Sequence, residues 1–464
     1  MKLLKSVLLG AALLSAASVA WSQQFIPMLS YRVGPYAAGG SGFYGGVIDY
    51  MNLVNMNGGI NGVKLVWEEC ETEYNASRGV ECYERLKSKN GGATIVEPLS
   101  TGIAYGILDR VAADKIPMTT LGYGRSDAAN GKVFPYVFPL LTTYWNQAAA
   151  MVNYLGEKSG GMDKLRGKKI VHLYHDSAYG KEPLPVLEAE AAKYGFELIK
   201  IPVAPPGNDQ QSQWLQIRQT KPDYVIMWTF GVMSAVGLKT AQRNGFPREK
   251  ILGVWWAGSE EDTEPAGDAA KGYAAMSFTT PGNYPVLDDI RKKIYGQGKG
   301  NLKELDRVGN VMYMRGVTSA VLMVEAMRVA QNKYGKGKPL TGEQVRWGFE
   351  NLNVDVARQK ALGVFDMFPP IKTSCDDHEG SGAVKVVQWD GKQWVALSKS
   401  WITGDKALVR KLLEESSASY AKEKGITVSD AEVDEEEAKL RDPDCTLSAR
   451  GFQQADLLGH YFAS

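Results

Sequence analysis

The sequence has almost no excess of charge: 53 Lys and Arg stand against 52 Asp and Glu, a formal net charge of +1. Without a basic surplus, nothing points to a nucleic-acid partner. Histidine is scarce, with four in 464 residues, and cysteine equally so, with four and none in a C-x-x-C pair. Scattered cysteines lack the spacing of a zinc site, and no metal is expected. No G-x-S-x-G elbow occurs. His175-Asp176-Ser177 are three neighbours, whereas a hydrolytic triad needs groups converging from separate elements. His172 lies in an apolar run, His378 beside Cys375, and His460 near the C-terminus. No acid–base set can be assembled from these, so no enzyme is expected. No G-x-G-x-x-G register fits Gly39, Gly40 and Gly42. They read as a glycine-rich turn over a cleft rather than a phosphate cradle, and no cofactor is expected. Beyond the first residues no run approaches the ~18 apolar residues that mark a membrane span.

What is present begins with residues 1–22, where Lys2 and Lys5 precede an apolar run (6–14) and then small residues. This is the pattern of a secretory signal peptide, with cleavage after Ala20 or Ser22. Losing Lys2 and Lys5 takes the formal charge from +1 to −1. No cysteine stands near the cleavage site to carry a lipid, so the mature chain is expected to be soluble and exported to the periplasm. In such a compartment an even cysteine count suggests two bridges. Cys70 and Cys82 join the end of a strand to the following helix, and Cys375 with Cys445 follows by elimination.

The length is too great for one core, and 44% hydrophobic and 23% charged residues are ordinary for a globular chain. Residues 169–258 organise the rest. Short apolar runs at 170–174, 196–203, 224–228 and 251–255 alternate with helical patterns at 182–194 and 232–244. Alternation of this kind marks βαβ units on a parallel sheet. In open α/β sheets ligands bind beyond the carboxyl ends of the strands, and here those ends carry Tyr179, Phe230, Trp255 and Trp256. The N-terminal part repeats the scheme. Strands are expected at 25–31, 63–68, 94–97 and 116–120, and helices at 42–56, 76–90 and 102–114. Ser100 and Thr101 sit where a strand end opens a helix, a suitable place for a carboxylate or carbonyl. Further on, a long amphipathic helix is expected over 310–331, a helix with a Thr341…Gln344 capping box over 341–352, and a hairpin turning at Asp390-Gly391.

The strand ending in Gly34-Pro35, the glycine-rich turn, NGGINGVKL at 57–65, LST at 99–101 and HDSAYGK at 175–181, in that order, resemble the periplasmic ligand-binding proteins of ABC importers. The likeness is to their branched-chain amino acid, or type I, group, and it covers about residues 25–400. It implies two doubly wound α/β lobes joined by a three-crossing hinge, a small molecule held between them, and docking of the closed form on a membrane permease. On that reading lobe 1 comprises 23–144 and 278–352, and lobe 2 comprises 145–277 and 353–400. The protein is expected to act as a monomer. The family's ligand contacts carry over to Ser100, Thr101, Gly122, Tyr123 and Gly124 in the first lobe, and to Tyr179, Phe230 and Trp255 in the second.

Two departures bear on the ligand. Amino-acid-binding members carry an acidic side chain beyond the strand at 251–254, where this chain has Trp255-Trp256-Ala257-Gly258, with Glu260-Glu261 further on. Gly39 also stands near the place of the family's aromatic residue in the glycine-rich turn. Without a buried anion nothing offsets desolvation of an ammonium group. The expected ligand is therefore a small aromatic or apolar carboxylate, with a neutral amide or urea-like compound next and a branched-chain amino acid third. Trp228 falls within a buried run and reads as core. By strand alternation one of Trp255 and Trp256 should face inward and the other the cleft. Arg125 is either an aid to a carboxylate or a rim charge. A ligand sensor for a membrane receptor is the alternative function. Past residue 400 the resemblance ends in a charged helical extension (401–464), with helices at 405–423 and 429–442.

Overall fold

The computed structural model describes residues 22–428. The expected signal peptide up to residue 21, the acidic segment 429–442, Cys445 and His460 lie outside the described residues. In chain order the first elements are β1 (Gln23–Met28), α1 (Ala37–Met56), β2 (Lys64–Glu69), α2 (Ala76–Leu86), α3 (Thr101–Ala113), β3 (Met118–Thr119) and β4 (Val137–Phe138). Next come α4 (Tyr144–Lys158), β5 (Lys169–His175), α5 (Ala178–Lys181), α6 (Leu184–Tyr194), β6 (Glu197–Val203), α7 (Gln211–Thr220), β7 (Tyr224–Trp228), α8 (Val232–Arg243), β8 (Ile251–Gly253), α9 (Glu260–Thr263) and β9 (Ala274–Ser277). The remainder comprises α10 (Pro285–Lys293), α11 (Val311–Tyr334), α12 (Gly342–Glu350), β10 (Asn353–Val354), α13 (Val356–Leu362), β11 (Ile371–Lys372), β12 (Lys385–Trp389), β13 (Trp394–Ala396) and α14 (Lys406–Lys424).

Two sheets organise two lobes. In the first, β1 pairs in parallel with β2 and β3 with β4. Residues 96 and 97 stitch these pairs together through the parallel bridges Met28↔Glu97 and Val96↔Met118. The second sheet has seven strands in the order β13-β12-β9-β8-β7-β5-β6. Its β5 to β9 part is parallel, as the alternation of runs and helices implies. The short turn at Asp390-Gly391 makes β12 and β13 an antiparallel hairpin, and β12 adds on antiparallel to β9. After β4 the chain passes to the seven-stranded sheet, leaves it after β9, and rejoins it at β12, past the separate pair β10–β11. No helix among the described residues is long and apolar enough to cross a membrane.

Local rules set many boundaries. β7 is buried at every position, as a strand covered on both faces must be. Thr341 and Gln344 form the reciprocal capping box of α12. The helix expected at 182–194 is α6, which Pro183 opens and separates from the short α5 before it, since proline offers no N–H to an interior turn. The glycines at 39, 40 and 42 lie inside α1 rather than in a turn before it. Their role is close packing: a Cβ at Gly40 would come within 2.1 Å of the Tyr31 carbonyl oxygen. Gly46 and Gly316 do the same where α1 crosses α11; a Cβ at either would meet the other helix's backbone at 2.1 and 1.9 Å. Cys70 and Cys82 are bridged, with Cα atoms 5.7 Å apart. Cys375 is disulfide-bonded, and its expected partner, Cys445, is outside the described residues.

Candidate functional site

At the carboxyl ends of the two sheets, Tyr31, Tyr74, Leu99, Thr101, Tyr123, Tyr144, Tyr179, Phe230 and Trp256 line a narrow cavity. Each wall has a local cause. Residues 95–97 run as a strand edge; Pro98 follows, Leu99 takes φ +45°, and Ser100 caps α3 by accepting from Ile103 N–H at 3.3 Å. Leu99 and Thr101 both line the cavity, so the N-terminus of α3 opens on it. The first amides of a helix have no partner within the helix and favour an anionic or carbonyl oxygen.

Tyr123 presents its ring while its hydroxyl is committed elsewhere: it accepts from Leu99 N–H at 2.8 Å and donates to Glu97 Oε1 at 2.8 Å. Gly122 and Gly124 act through their backbones. Both adopt left-handed φ, +68° and +84°, and Gly124 N–H donates to Thr101 Oγ1 at 3.2 Å. The Gly122 carbonyl oxygen accepts two indole N–H groups, Trp255 Nε1 at 2.8 Å and Trp256 Nε1 at 2.9 Å. Tyr179, on α5, donates to the Thr229 carbonyl at 2.9 Å and turns its ring to the cavity. Phe230 follows β7 and stacks on Tyr36 with centroids 5.2 Å apart and planes 5° off parallel.

The two tryptophans divide as expected, Trp256 to the cavity and Trp255 to the interior, but through a turn rather than along a strand. β8 stops at Gly253, and Trp255–Ala257 forms a 3-10 turn whose first amide donates to Gln147 Oε1 at 2.8 Å. Both rings are buried. Trp256 lines the cavity, and Trp255 lies behind it, stacked on Tyr144 at 5.6 Å. Trp228 is fully buried, edge-on to Tyr144 and His172. Of the residues named from sequence, Thr101, Tyr123, Tyr179 and Phe230 meet at the cavity. Ser100, Gly122, Gly124 and Trp255 stand one layer back.

Sequence reasoning missed Tyr31, Tyr74, Leu99 and Tyr144. Tyr74 had one usable signal, its place inside the Cys70–Cys82 loop, which the bridge clamps against the first lobe. Thr72 N–H also pairs with the Ser30 carbonyl there at 2.8 Å. Tyr36 supplies an aromatic at the entry to α1, bonded through its hydroxyl to His175 Nε2 at 2.8 Å. His175 also reaches Ser177 Oγ at 2.8 Å, and burial pushes its pKa down to about 4.

Among the described residues no Asp, Glu, Lys or Arg lines the cavity. Glu260 accepts from Val311 N–H at 2.9 Å, capping α11, and Glu261 faces α1 at Gly42. Desolvation pushes both carboxyls above their ordinary range. Arg125 is held bidentate by Asp127 at 2.8 and 2.6 Å. Arg315, fully buried, donates to the Trp255 carbonyl at 2.8 Å and lies 5.1 Å from the Trp256 ring centroid. Among the described residues no group of His, Cys, Asp and Glu is placed to hold a metal ion. The arrangement offers aromatic faces to a flat or apolar body, and hydroxyls with helix amides to an oxygen.

A family model described as periplasmic binding protein matches residues 23–393. A crystal structure described as an ABC transporter permease from the Pseudomonas fluorescens group is 49% identical with a TM-score of 0.82, covering 88% of this chain and 99% of that one. The crystal structure of a branched-chain amino acid ABC transporter from Thermus thermophilus with bound valine is 21% identical with a TM-score of 0.69, covering 84% and 98%. Among curated proteins, the Leu/Ile/Val-binding protein homolog 3 of Brucella melitensis is 26% identical over 209 residues. That match takes in 45% of this chain and spans about half of the relative, 54% of its length.

Proposed function

The chain belongs to the periplasmic binding protein family, and on that footing we propose that it is the exported solute-binding component of an ABC importer. It takes a small aromatic or apolar carboxylate between its lobes in the periplasm and delivers it to the membrane permease. The observation that carries this reading is the composition of the cavity wall: tyrosines, Phe230 and Trp256 around the N-terminus of α3, with no acidic side chain among them. An α-ammonium group would be desolvated there without a counter-charge. Glu260 and Glu261, the two acids that could supply one, are turned to α11 and α1. A carboxylate meets helix amides and the Thr101 hydroxyl instead, and its body meets ring faces.

One observation favours a second reading. No cationic side chain lines the cavity either, which suits a neutral amide or urea-like compound bonded by the same hydroxyls. A thermal-shift panel separates the two. The mature protein, unfolded and refolded to strip carried ligand, is tested against aromatic acids, aliphatic acids, amides and amino acids. A ligand at ~100 times its Kd adds about 2.7 kcal/mol, which is readily seen. A shift with the aromatic or aliphatic acids supports the carboxylate reading, and a shift confined to amides supports the second. A shift with valine or leucine alone refutes both.

A further inference from the structure

Leu99 stands out at the cavity. It has φ +45°, a left-handed conformation that costs a residue with a Cβ and persists only where its surroundings impose it. The surroundings are explicit here. The Leu99 N–H donates to the Tyr123 hydroxyl at 2.8 Å, and the Leu99 carbonyl accepts from the Tyr31 hydroxyl at 3.2 Å. The Tyr123 hydroxyl is in turn anchored on Glu97 Oε1 at 2.8 Å. Glu97 is fully buried, and its other oxygen accepts from Thr119 Oγ1 at 2.8 Å and from Ser319 Oγ on α11. One carboxylate thus ties together the strand edge, β3, the loop bearing Tyr123, and α11.

We propose that Glu97 and Tyr123 are positioning residues that hold Leu99 in its left-handed turn and so aim the N-terminus of α3 into the ligand cavity. The inference rests on the solute-binding reading for its consequence, but its mechanism is internal to the chain. Two residues after Leu99, Thr101 begins α3 and lines the cavity. If Leu99 relaxes to negative φ, the peptide planes between it and Thr101 rotate, and the free amides of the first turn lose their aim. The Tyr123 hydroxyl finds its acceptors in Glu97 Oε1 and, at 3.0 Å, the Thr119 carbonyl oxygen, which leaves its own lone pair to the Leu99 amide.

The test is a cycle of Tyr123→Phe, Leu99→Gly and their combination, with Glu97→Gln beside it. Two readouts are taken: amide hydrogen exchange over 97–103 without ligand, and the Kd for benzoate and hexanoate. Tyr123→Phe keeps the ring and should raise exchange at Leu99 and in the first turn of α3. It should also weaken acid binding about tenfold, the scale of one lost buried hydrogen bond. Leu99→Gly alone should weaken acid binding, because it takes a buried side chain out of the cavity wall, yet leave exchange in the first turn of α3 little changed. In the double variant glycine accepts positive φ without strain, so on the Leu99→Gly background Tyr123→Phe should add little further exchange or loss of affinity. A role confined to stability would make the effect of Tyr123→Phe the same with leucine or glycine at position 99. Unchanged exchange in Tyr123→Phe, or additive losses in the double variant, would overturn the proposal. If neither acid binds the unsubstituted protein while Tyr123→Phe still raises exchange, the ligand class falls and the positioning role stands.

Discussion

Trp256 donates its indole N–H to the carbonyl oxygen of Gly122 at 2.9 Å, tying the second lobe's aromatic wall to the first lobe's glycine turn. Trp255 shares the same oxygen at 2.8 Å. One carbonyl can accept both because it has two lone pairs. Replacing Trp256 by Leu keeps apolar bulk but removes both the ring on the cavity and this bond. The Kd for an aromatic acid should rise by about 1–2 kcal/mol in free-energy terms, as read by calorimetry. Trp255→Phe should instead lower the denaturation midpoint with a smaller effect on Kd, because Trp255 is behind the wall. Equal effects of the two substitutions on Kd would contradict this layering.

Gly122 permits this arrangement in two ways. Its φ is +68°, and a Cβ would come within 2.6 Å of the Phe278 ring. Gly122→Ala therefore meets strain and overlap together, and should cost about 1–3 kcal/mol of stability in urea titration. A neutral result would mean that the turn is free to rearrange.

The Cys70–Cys82 bridge closes the loop that carries Tyr74 into the cavity. Cys82→Ser should lower stability by about 2–4 kcal/mol, chiefly by freeing the unfolded chain. Ligand affinity should fall as well, because Tyr74 loses its fixed base. Unimpaired binding in Cys82→Ser would show that Tyr74 is held by the ring contacts alone, with Tyr31 at 5.0 Å and Tyr36 at 4.6 Å.

Glu97, Asp262 and Glu379 are buried, and that burial pushes each carboxyl up to about 7. In the unfolded chain they titrate near ~4. The native state binds these protons more tightly, so ionising them erodes stability as pH rises from about 4 to 7. His172 and His175, pushed down by burial to about 4, act in the opposite sense, losing stability as pH falls below ~6.5. Burial raises Glu182, Glu190, Glu260 and Glu261 as well, so the acids outweigh the two histidines: the thermal midpoint should decline from about pH 5 to 7.5, and Glu97→Gln should flatten the slope. A midpoint that rises over this range would refute the assignment.

α14 touches both lobes. Asp405, its N-cap, pairs with Lys193 of α6, and Gly404 lies so close to α4 that a Cβ would come within 2.2 Å of the Ala149 backbone. At its other end Tyr420 and Lys424 bond Asp109 of α3 at 2.8 and 2.7 Å, and the Tyr420 ring lies 4.6 Å from the Arg125 guanidinium. The exposed ion pairs contribute little. The aromatic contacts weigh more, so Tyr420→Ala should loosen the C-terminal half of α14 by about 1–2 kcal/mol. Hydrogen exchange along α14 and the rate of ligand release should both increase. Faster exchange without faster release would confine α14 to a packing role.

The sequence by itself determined the elements whose cause is local. The unbroken apolar run of β7, the Thr341…Gln344 box that opens α12, the Asp390-Gly391 turn and the Cys70–Cys82 pair each depend on residues within a turn or two of one another. The resemblance carried by NGGINGVKL and HDSAYGK extended those pieces to the two-lobed fold. Only the tertiary structure decided the cavity. Leu99 is shaped by Tyr31 and Tyr123, Glu97 is satisfied from α11 by Ser319, and Tyr144 and Tyr74 reach the same space from a hinge crossing and a disulfide loop. One of Trp255 and Trp256 faces the cavity and the other the interior, as alternation suggests, but a 3-10 turn sets the division, held by two indole bonds to one distant carbonyl and by the Trp255 amide donating to Gln147. Gly39 and Gly40 looked like turn formers because, without a partner in view, close packing against Tyr31 and Phe230 leaves the same glycine signature as a bend.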